Sequence, residues 1–120
     1  MSFTVAAVNQ SRRPLRCLFS ALLVLAAVPG AQAAGDAAAG KTKAVVCGAC
    51  HGADGNAIMP IYPHLAGQSA PYLESALHAY KAGQRTSANA AMMTPMAANL
   101  SEQDMADLAA YFASQKLKQQ

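Results

Sequence analysis

Two cysteines and a histidine within residues 47–51 form the pattern with the most chemical content in the chain. Cys47 and Cys50 lie three positions apart, and His51 directly follows the second cysteine. This spacing is typical of the attachment site of a c-type haem. Two thiols add to the two vinyl groups of the porphyrin, and the next residue can place an imidazole nitrogen on the iron. The pattern therefore predicts one covalently attached haem c, with His51 as the proximal iron ligand.

Other uses of a cysteine pair fit the sequence less well. A structural zinc site needs about four ligands. Beyond residue 33 the chain has no second cysteine pair, and its further histidines are His64 and His78. A thioredoxin-like dithiol requires a surrounding βαβ pattern, which the sequence lacks, and a simple disulfide does not require His51. We therefore favour haem attachment over these alternatives.

The ligand on the opposite face of the iron is not determined by residue type alone. Three methionines surround Pro95 in a segment long enough to cover one face of a cofactor, and methionine is a known axial partner of histidine in haem proteins. His64 and His78 are weaker candidates, because His78 shares the polar side of a predicted helix with charged residues. On the residues alone, Met92, Met93 and Met96 stay open as candidates, with His64 and His78 less favoured.

The elements that must position these residues are predicted to be helical. Strand patterns of period two are absent, so the sequence indicates an all-α fold with three main helices. Asp36 can cap a first helix over about residues 37–46. A second helix begins near Ser69 and ends at Gly83, and Ser101 opens the last helix with a variant of the capping box.

Two segments between these helices are predicted to be irregular. Residues 52–68 contain turn-forming residues and prolines, and residues 82–99 show neither a strand pattern nor a strong helix pattern. Because long irregular segments in a small domain are usually functional, we expect them to wrap around the cofactor. The second and last helices carry apolar stripes at helical spacing: Tyr72, Leu73, Ala76, Leu77 and Tyr80 in one, and Met105, Leu108 and Phe112 beside Tyr111 in the other.

The first 33 residues have the organisation of an export signal. A basic region precedes an apolar run over 18–28, and Ala31-Gln32-Ala33 matches an A-x-A cleavage site. The apolar run is shorter than the roughly 20 residues of a membrane span. The sequence therefore predicts a cleaved signal peptide over 1–33, followed by one domain over 34–120.

Removal of the signal peptide changes the charge of the chain. The full sequence has nine Lys and Arg residues against six Asp and Glu residues, which gives a formal net charge of +3. Three of these cations are Arg12, Arg13 and Arg16, so residues 34–120 are formally neutral. A nucleic-acid partner is therefore not expected. Cys17 is lost with the same segment, which leaves the two remaining cysteines for the haem.

Residues 34–120 resemble the class I cytochromes c, and most closely the short bacterial cytochromes of the c4/c553-like group. Besides the haem motif, the matching segments are Ala34-Gly35-Asp36 with Gly40, Tyr62-Pro63-His64-Leu65-Ala66-Gly67-Gln68, Met93-Thr94-Pro95-Met96 and Asp107-Leu108-Ala109-Ala110-Tyr111-Phe112. The resemblance implies the small class I cytochrome c fold, in which three main helices and their loops wrap around one covalently bound haem. It also implies that Gly40 allows the first helix to cross the last one against Tyr111.

The resemblance implies roles for individual residues as well. Pro63 would supply the carbonyl that accepts a hydrogen bond from His51, and Leu65 would pack on the face of the haem. Met93, eight residues before Ser101, would be the distal iron ligand. The implied cofactor-binding set is Cys47, Cys50, His51, Met93, Pro63 and Leu65, with His51 and Met93 on the iron.

A one-electron carrier is the function that these implications favour. A His/Met-ligated iron can cycle between Fe(II) and Fe(III) without binding a substrate. We expect a periplasmic monomer, not an enzyme, that carries electrons between respiratory redox proteins such as an oxidase, a reductase or a dehydrogenase. Transient contact with membrane complexes fits this role. Docking would use an exposed haem edge near Ala53 and Ile58.

Two alternative functions use the same motif. The chain could be the haem subunit of a dehydrogenase or oxidase complex, or a small haem peroxidase. A non-catalytic module such as a gas sensor is a further option. No general acid–base constellation lies near the motif, and the three methionines argue against an open distal site.

Overall fold

Five helices form the secondary structure of residues 34–119, the part of the chain that the computed structural model describes. In chain order they are α1 Ala37–Lys43, α2 Val45–His51, α3 Ala70–Lys81, α4 Ala90–Ala97 and α5 Glu102–Ser114. No strand occurs in this range, in agreement with the all-α prediction. Within the same range, no helix is long and apolar enough to cross a membrane. The predicted signal peptide over 1–33 lies outside the described residues.

The three helices expected from the sequence are present as α1, α3 and α5. The Asp36 carboxylate caps α1, because it accepts hydrogen bonds from the backbone N–H groups of Ala38 (2.8 Å) and Ala39 (3.3 Å). Ser101 and Asp104 form a capping box at the start of α5: each side chain accepts a hydrogen bond from the backbone N–H of the other residue. These contacts satisfy N–H groups that the first turn of a helix leaves unpaired.

Helices α2 and α4 correct the predicted boundaries. The sequence predicts one helix over 37–46, but the chain turns at Ala44 and continues as α2 through the whole haem motif until Gly52, whose φ is 79°. The sequence also predicts irregular structure over 82–99, yet α4 lies within that segment and includes Pro95. Alanine and methionine are good helix formers, and their uniform apolarity hides the helical period.

The crossing of α1 and α5 is held by a buried carboxylate as well as by close packing. The Lys43 ammonium lies 2.6 Å from one oxygen of Asp107 and 2.7 Å from an oxygen of Asp104. The other Asp107 oxygen accepts hydrogen bonds from the backbone N–H of Asp36 and the side-chain amide of Gln103, each at 2.8 Å. Helix α5 thus fixes both the start and the last turn of α1.

The two predicted apolar stripes differ in what covers them. The α5 stripe is buried and forms the core together with Ala44 and Leu73. On α3, by contrast, Leu73 is the buried member, whereas Tyr72 is exposed and the other three stripe residues are half-buried. All five α3 residues line a cleft. The α3 stripe therefore faces an open space in addition to the protein core.

Candidate haem-binding site

A cleft of about 390 Å³ lies among α2, α3, α4, α5 and the loop 52–68, and its lining is mostly apolar. The predicted haem-binding residues come from three separate parts of the chain. All six of them line this one cleft: Cys47, Cys50, His51, Pro63, Leu65 and Met93. The structure therefore brings together every residue of the predicted set.

His51 is held in one orientation at the cleft. The residue is 6% exposed, and its Nδ1 lies 2.9 Å from the carbonyl oxygen of Pro63. A carbonyl oxygen can only accept, so Nδ1 donates and Nε2 keeps its lone pair. Among the described residues, no buried side-chain nitrogen or oxygen lacks a partner, so the unbonded Nε2 is accessible from the cleft. A histidine oriented in this way is suited to bind a metal through Nε2.

The two cysteines share one face of α2. Cys47 and Cys50 are three residues apart on this helix, a spacing that places side chains next to each other. Both are free thiols, Cys47 half-buried and Cys50 exposed. Burial raises the pKa of the Cys47 thiol. The pair is therefore positioned to bond to one edge of a planar group, while His51 approaches that group's face.

Tyr62 is a site residue to which sequence reasoning gave no role. Its ring lies edge-on to the His51 ring, with centroids 6.1 Å apart, and it also lines the cleft. A hydrogen bond with Cys50 raises the pKa of its hydroxyl. The signal that could have found it is its place directly before Pro63, whose carbonyl orients His51.

The three methionines of α4 all line the cleft but differ in burial. Met93 is half-buried and shares the inward face of α4 with the buried Ala90 and Ala97, which lie three residues before it and four residues after it. Met92 and Met96 lie one helical turn apart on a more exposed side, with 49% and 43% of their surface accessible. Burial and position on the helix therefore distinguish Met93 from Met92 and Met96.

Neither His64 nor His78 belongs to the cleft lining. Nδ1 of His64 accepts a hydrogen bond from the backbone N–H of Ala57 at 3.1 Å. Nε2 of His78 lies 3.2 Å from a carboxylate oxygen of Glu102 on α5. In the described part of the chain, no three His, Cys, Asp or Glu side chains form a metal-binding group. Both histidines thus have structural contacts away from the cleft.

Comparison with known proteins agrees with this geometry. A family model described as cytochrome c matches residues 34–116. The chain belongs to the cytochrome c family. Cytochrome c-554(548) of Halomonas halodenitrificans is 61% identical to this cytochrome over 83 residues, which are 69% of this chain and all of the relative. Cytochrome c4 of Pseudomonas aeruginosa is 56% identical over 102 residues, which are 85% of this chain and 49% of the relative.

A solved structure shows the same fold. Reduced recombinant cytochrome c4 from Pseudomonas stutzeri superposes with a TM-score of 0.63 and 49% identity, over 71% of this chain and 48% of that chain. This cytochrome thus spans the whole of the Halomonas relative and about half the length of the cytochromes c4. Family and relatives support an electron carrier of the c4-like group whose cofactor is covalently bound haem c with its iron.

The residues of the cleft fit that cofactor. An apolar space with two thiols on one wall, an oriented imidazole beside them and thioether side chains on α4 offers donors of the kinds that hold and ligate haem c. The α3 stripe, which is only partly covered by protein, supplies apolar surface on which a porphyrin can pack.

Proposed function

We propose that this cytochrome is a one-electron carrier of the periplasm in which His51 and Met93 ligate the haem iron. The observation that carries the proposal is the single cleft that joins the two cysteines, the oriented His51 and the inward-facing Met93. Thioether bonds from Cys47 and Cys50 would fix the porphyrin edge. When bound, the haem supplies an iron that alternates between Fe(II) and Fe(III), and His/Met ligation favours a raised potential.

The residues of the chain keep the iron environment constant. The Pro63 carbonyl fixes the ring of His51 through Nδ1. Nε2 therefore need not reorient when the iron changes its oxidation state. On the distal side, the Lys81 ammonium donates to the carbonyl of Leu100 at 2.5 Å. This bond joins the two ends of the segment that carries α4. A coordination shell held from both sides suits electron transfer rather than binding of a substrate, so we do not propose an enzymatic activity.

Electron exchange requires that a partner can approach the edge of the haem. Val46 and Ile61 line the cleft and are also exposed, and Ile58 is 89% exposed in the adjoining loop. We propose that this apolar rim is where redox proteins such as an oxidase, a reductase or a dehydrogenase approach. Apolar atoms are common on protein surfaces, so the support here is the position of the rim beside the cysteines.

Residues 1–33 support export to the periplasm, since a basic region, an apolar run and an A-x-A site are the parts of a secretory signal. We propose cleavage after Ala33 and a mature domain over 34–120. N-terminal sequencing of the protein purified from a periplasmic fraction would test this directly. A mature N-terminus at Ala34 is expected, and an intact residue 1 in a membrane fraction would contradict it.

Absorption spectra of the purified haem-loaded protein test the carrier proposal. We expect a low-spin c-type spectrum in both oxidation states, a methionine–iron charge-transfer band in the oxidised protein, and no binding of carbon monoxide at neutral pH. A high-spin protein that binds carbon monoxide would have an open distal site, and that result would favour peroxide or gas chemistry instead.

A further inference from the structure

His64 closes the segment 57–64 of the loop that follows the haem motif. Its Nδ1 accepts a hydrogen bond from the backbone N–H of Ala57 at 3.1 Å, which joins the two ends of this segment. Ala57 is 2% exposed, and His64 is half-buried. The segment between them includes Pro63, whose carbonyl orients His51. One imidazole therefore holds the base of the segment that reaches the proximal ligand.

The main chain around His64 is held as well. The side-chain amide of Gln68 donates to the carbonyl oxygen of His64 at 2.5 Å. The next backbone N–H, that of Leu65, donates to the carbonyl oxygen of Gly55 at 2.8 Å. Pro63 and Leu65 both line the cleft, whereas His64 between them does not. His64 is thus fixed through its side chain and its main chain between two cleft-lining residues.

The carbonyl of Pro63 depends on this neighbour for its orientation. It belongs to the same planar peptide unit as the backbone nitrogen of His64, and proline has no N–H through which its own nitrogen could be held. The direction of the carbonyl therefore follows the position of His64. A ligand histidine whose second ring nitrogen donates to a well-placed acceptor has a fixed ring and is more basic.

We propose that His64 is a positioning residue for the proximal ligand: by accepting from Ala57, it holds the Pro63 carbonyl against Nδ1 of His51. The inference rests on the proposed function, because it requires His51 on the iron. A more basic ligand favours Fe(III), the more positive state of the iron. These contacts therefore lower the midpoint potential, and His64 tunes the iron from a position outside the cleft lining.

Two haem-loaded variants distinguish this role from packing. His64→Leu keeps an apolar side chain of similar length but removes the acceptor, whereas His64→Asn keeps an acceptor atom bonded to Cγ, as Nδ1 is. We expect the midpoint potential, measured by spectroelectrochemistry, to rise in His64→Leu and to return towards the wild-type value in His64→Asn. Loss of packing alone would act in the opposite direction, because water admitted to the site stabilises Fe(III) and lowers the potential.

Exchange of the His51 Nδ1–H proton with solvent reports on the same contact without involving electron transfer. We expect NMR of the reduced protein to show exchange several-fold faster in His64→Leu than in wild type, and close to wild type in His64→Asn. His78→Leu is the matched control, since it makes the same substitution at a histidine that contacts Glu102 and does not line the cleft. Its potential and its exchange rate should match those of wild type.

The proposal would be overturned by a wild-type or lowered potential in His64→Leu, by wild-type exchange in that variant, or by equal changes in His64→Leu and His64→Asn. If His64→Leu does not yield a haem-loaded protein, His64→Ala decides in its place, with the same expected directions. Failure of the carrier proposal is separate, because it would be seen as a high-spin, carbon monoxide-binding wild-type protein, whatever the variants do.

Discussion

A Cβ atom on Gly40 would lie 2.8 Å from the Cβ of Tyr111, and it would lie still closer to the backbone carbonyl of Asp107. The backbones of α1 and α5 are therefore in direct contact where the two helices cross. Glycine is otherwise a poor helix former. Its presence in the middle of α1 is explained by this contact, as the resemblance to class I cytochromes c implied.

Replacement of Gly40 by alanine should destabilise the protein. Alanine would improve helix propensity by about 1 kcal/mol, but overpacking against a backbone that cannot move aside typically costs about 1–3 kcal/mol. Because the added Cβ would lie far inside van der Waals contact with the backbone oxygen of Asp107, we expect a cost of about 3 kcal/mol. The net loss in the free energy of unfolding is then about 2 kcal/mol, measured by denaturant titration of the haem-loaded protein. Lys41→Ala on the exposed side of α1 should change it by less than about 0.5 kcal/mol. A Gly40→Ala protein as stable as the control would contradict the close crossing.

Stability should fall on acidification, and Asp107 should contribute to that fall. Hydrogen bonding to the Lys43 ammonium, with further hydrogen bonds from the Asp36 N–H and Gln103, lowers the pKa of the Asp107 carboxyl to about 2 from its ordinary 3.8. A group with a lowered folded-state pKa stabilises the protein above its ordinary pKa, and this contribution is lost as the pH falls towards about 2. Unfolding midpoints between pH 7 and pH 2 should therefore drop most steeply below pH 4.

The variant Asp107→Asn tests the contribution of this carboxylate to acid stability separately from that of the other carboxylates. The variant should be less stable than wild type at pH 7 and should approach it near pH 2. The pKa of Asp54 is also lowered to about 2, through a hydrogen bond with Lys118, but that pair is more exposed. Asp54→Asn should therefore change the acid profile less, because exposed pairs contribute little. Parallel profiles for Asp107→Asn and wild type would be inconsistent with a role for this carboxylate.

The capping box at the start of α5 should have a measurable effect on stability. Ser101→Ala removes the oxygen that accepts from the backbone N–H of Asp104 at 3.1 Å. Loss of such a cap typically costs about 1 kcal/mol. Thermal or denaturant unfolding checks the value, with Ser75→Ala as the control at an exposed serine inside α3. Equal stabilities of the two variants would show that the cap is dispensable.

The Tyr111 hydroxyl connects α5 to the chain just after the haem motif. It donates to the carbonyl oxygen of Ala53 at 2.8 Å. Tyr111→Phe keeps the packing of the ring but leaves that carbonyl without this partner, so we expect a loss of about 1 kcal/mol in unfolding free energy. The absorption spectrum should be unchanged, because neither residue lines the cleft. An altered spectrum with unchanged stability would contradict this assignment.

The haem motif and the helix starts could be predicted because their chemistry depends on sequence neighbours. Cys47, Cys50 and His51 act through fixed short spacings, and the caps at Asp36 and Ser101 need only the residues of the following turn. Each of these features requires no knowledge of the rest of the fold.

Features that depend on tertiary contacts were harder to predict. The local sequence does not encode the break between α1 and α2 at Ala44, since this alanine is itself a good helix former. The α3 stripe shows the same limit: a periodic apolar pattern indicates a covered face, without indicating whether protein or cofactor covers it. The Arg85 guanidinium contacts the Tyr72 hydroxyl and the Tyr80 ring. These contacts join a loop to helix α3, so no local sequence pattern indicates them.

The spectra of three single variants test the central claim, His/Met ligation of the iron within this cleft, most directly. Met92→Ala, Met93→Ala and Met96→Ala remove the same thioether group from neighbouring positions of α4, so each is a control for the others. We predict that Met93→Ala abolishes the methionine–iron charge-transfer band of the oxidised protein and allows carbon monoxide to bind the reduced protein. Met92→Ala and Met96→Ala should retain the band. Persistence of the band in Met93→Ala, or its loss in either of the other two, would contradict the assignment.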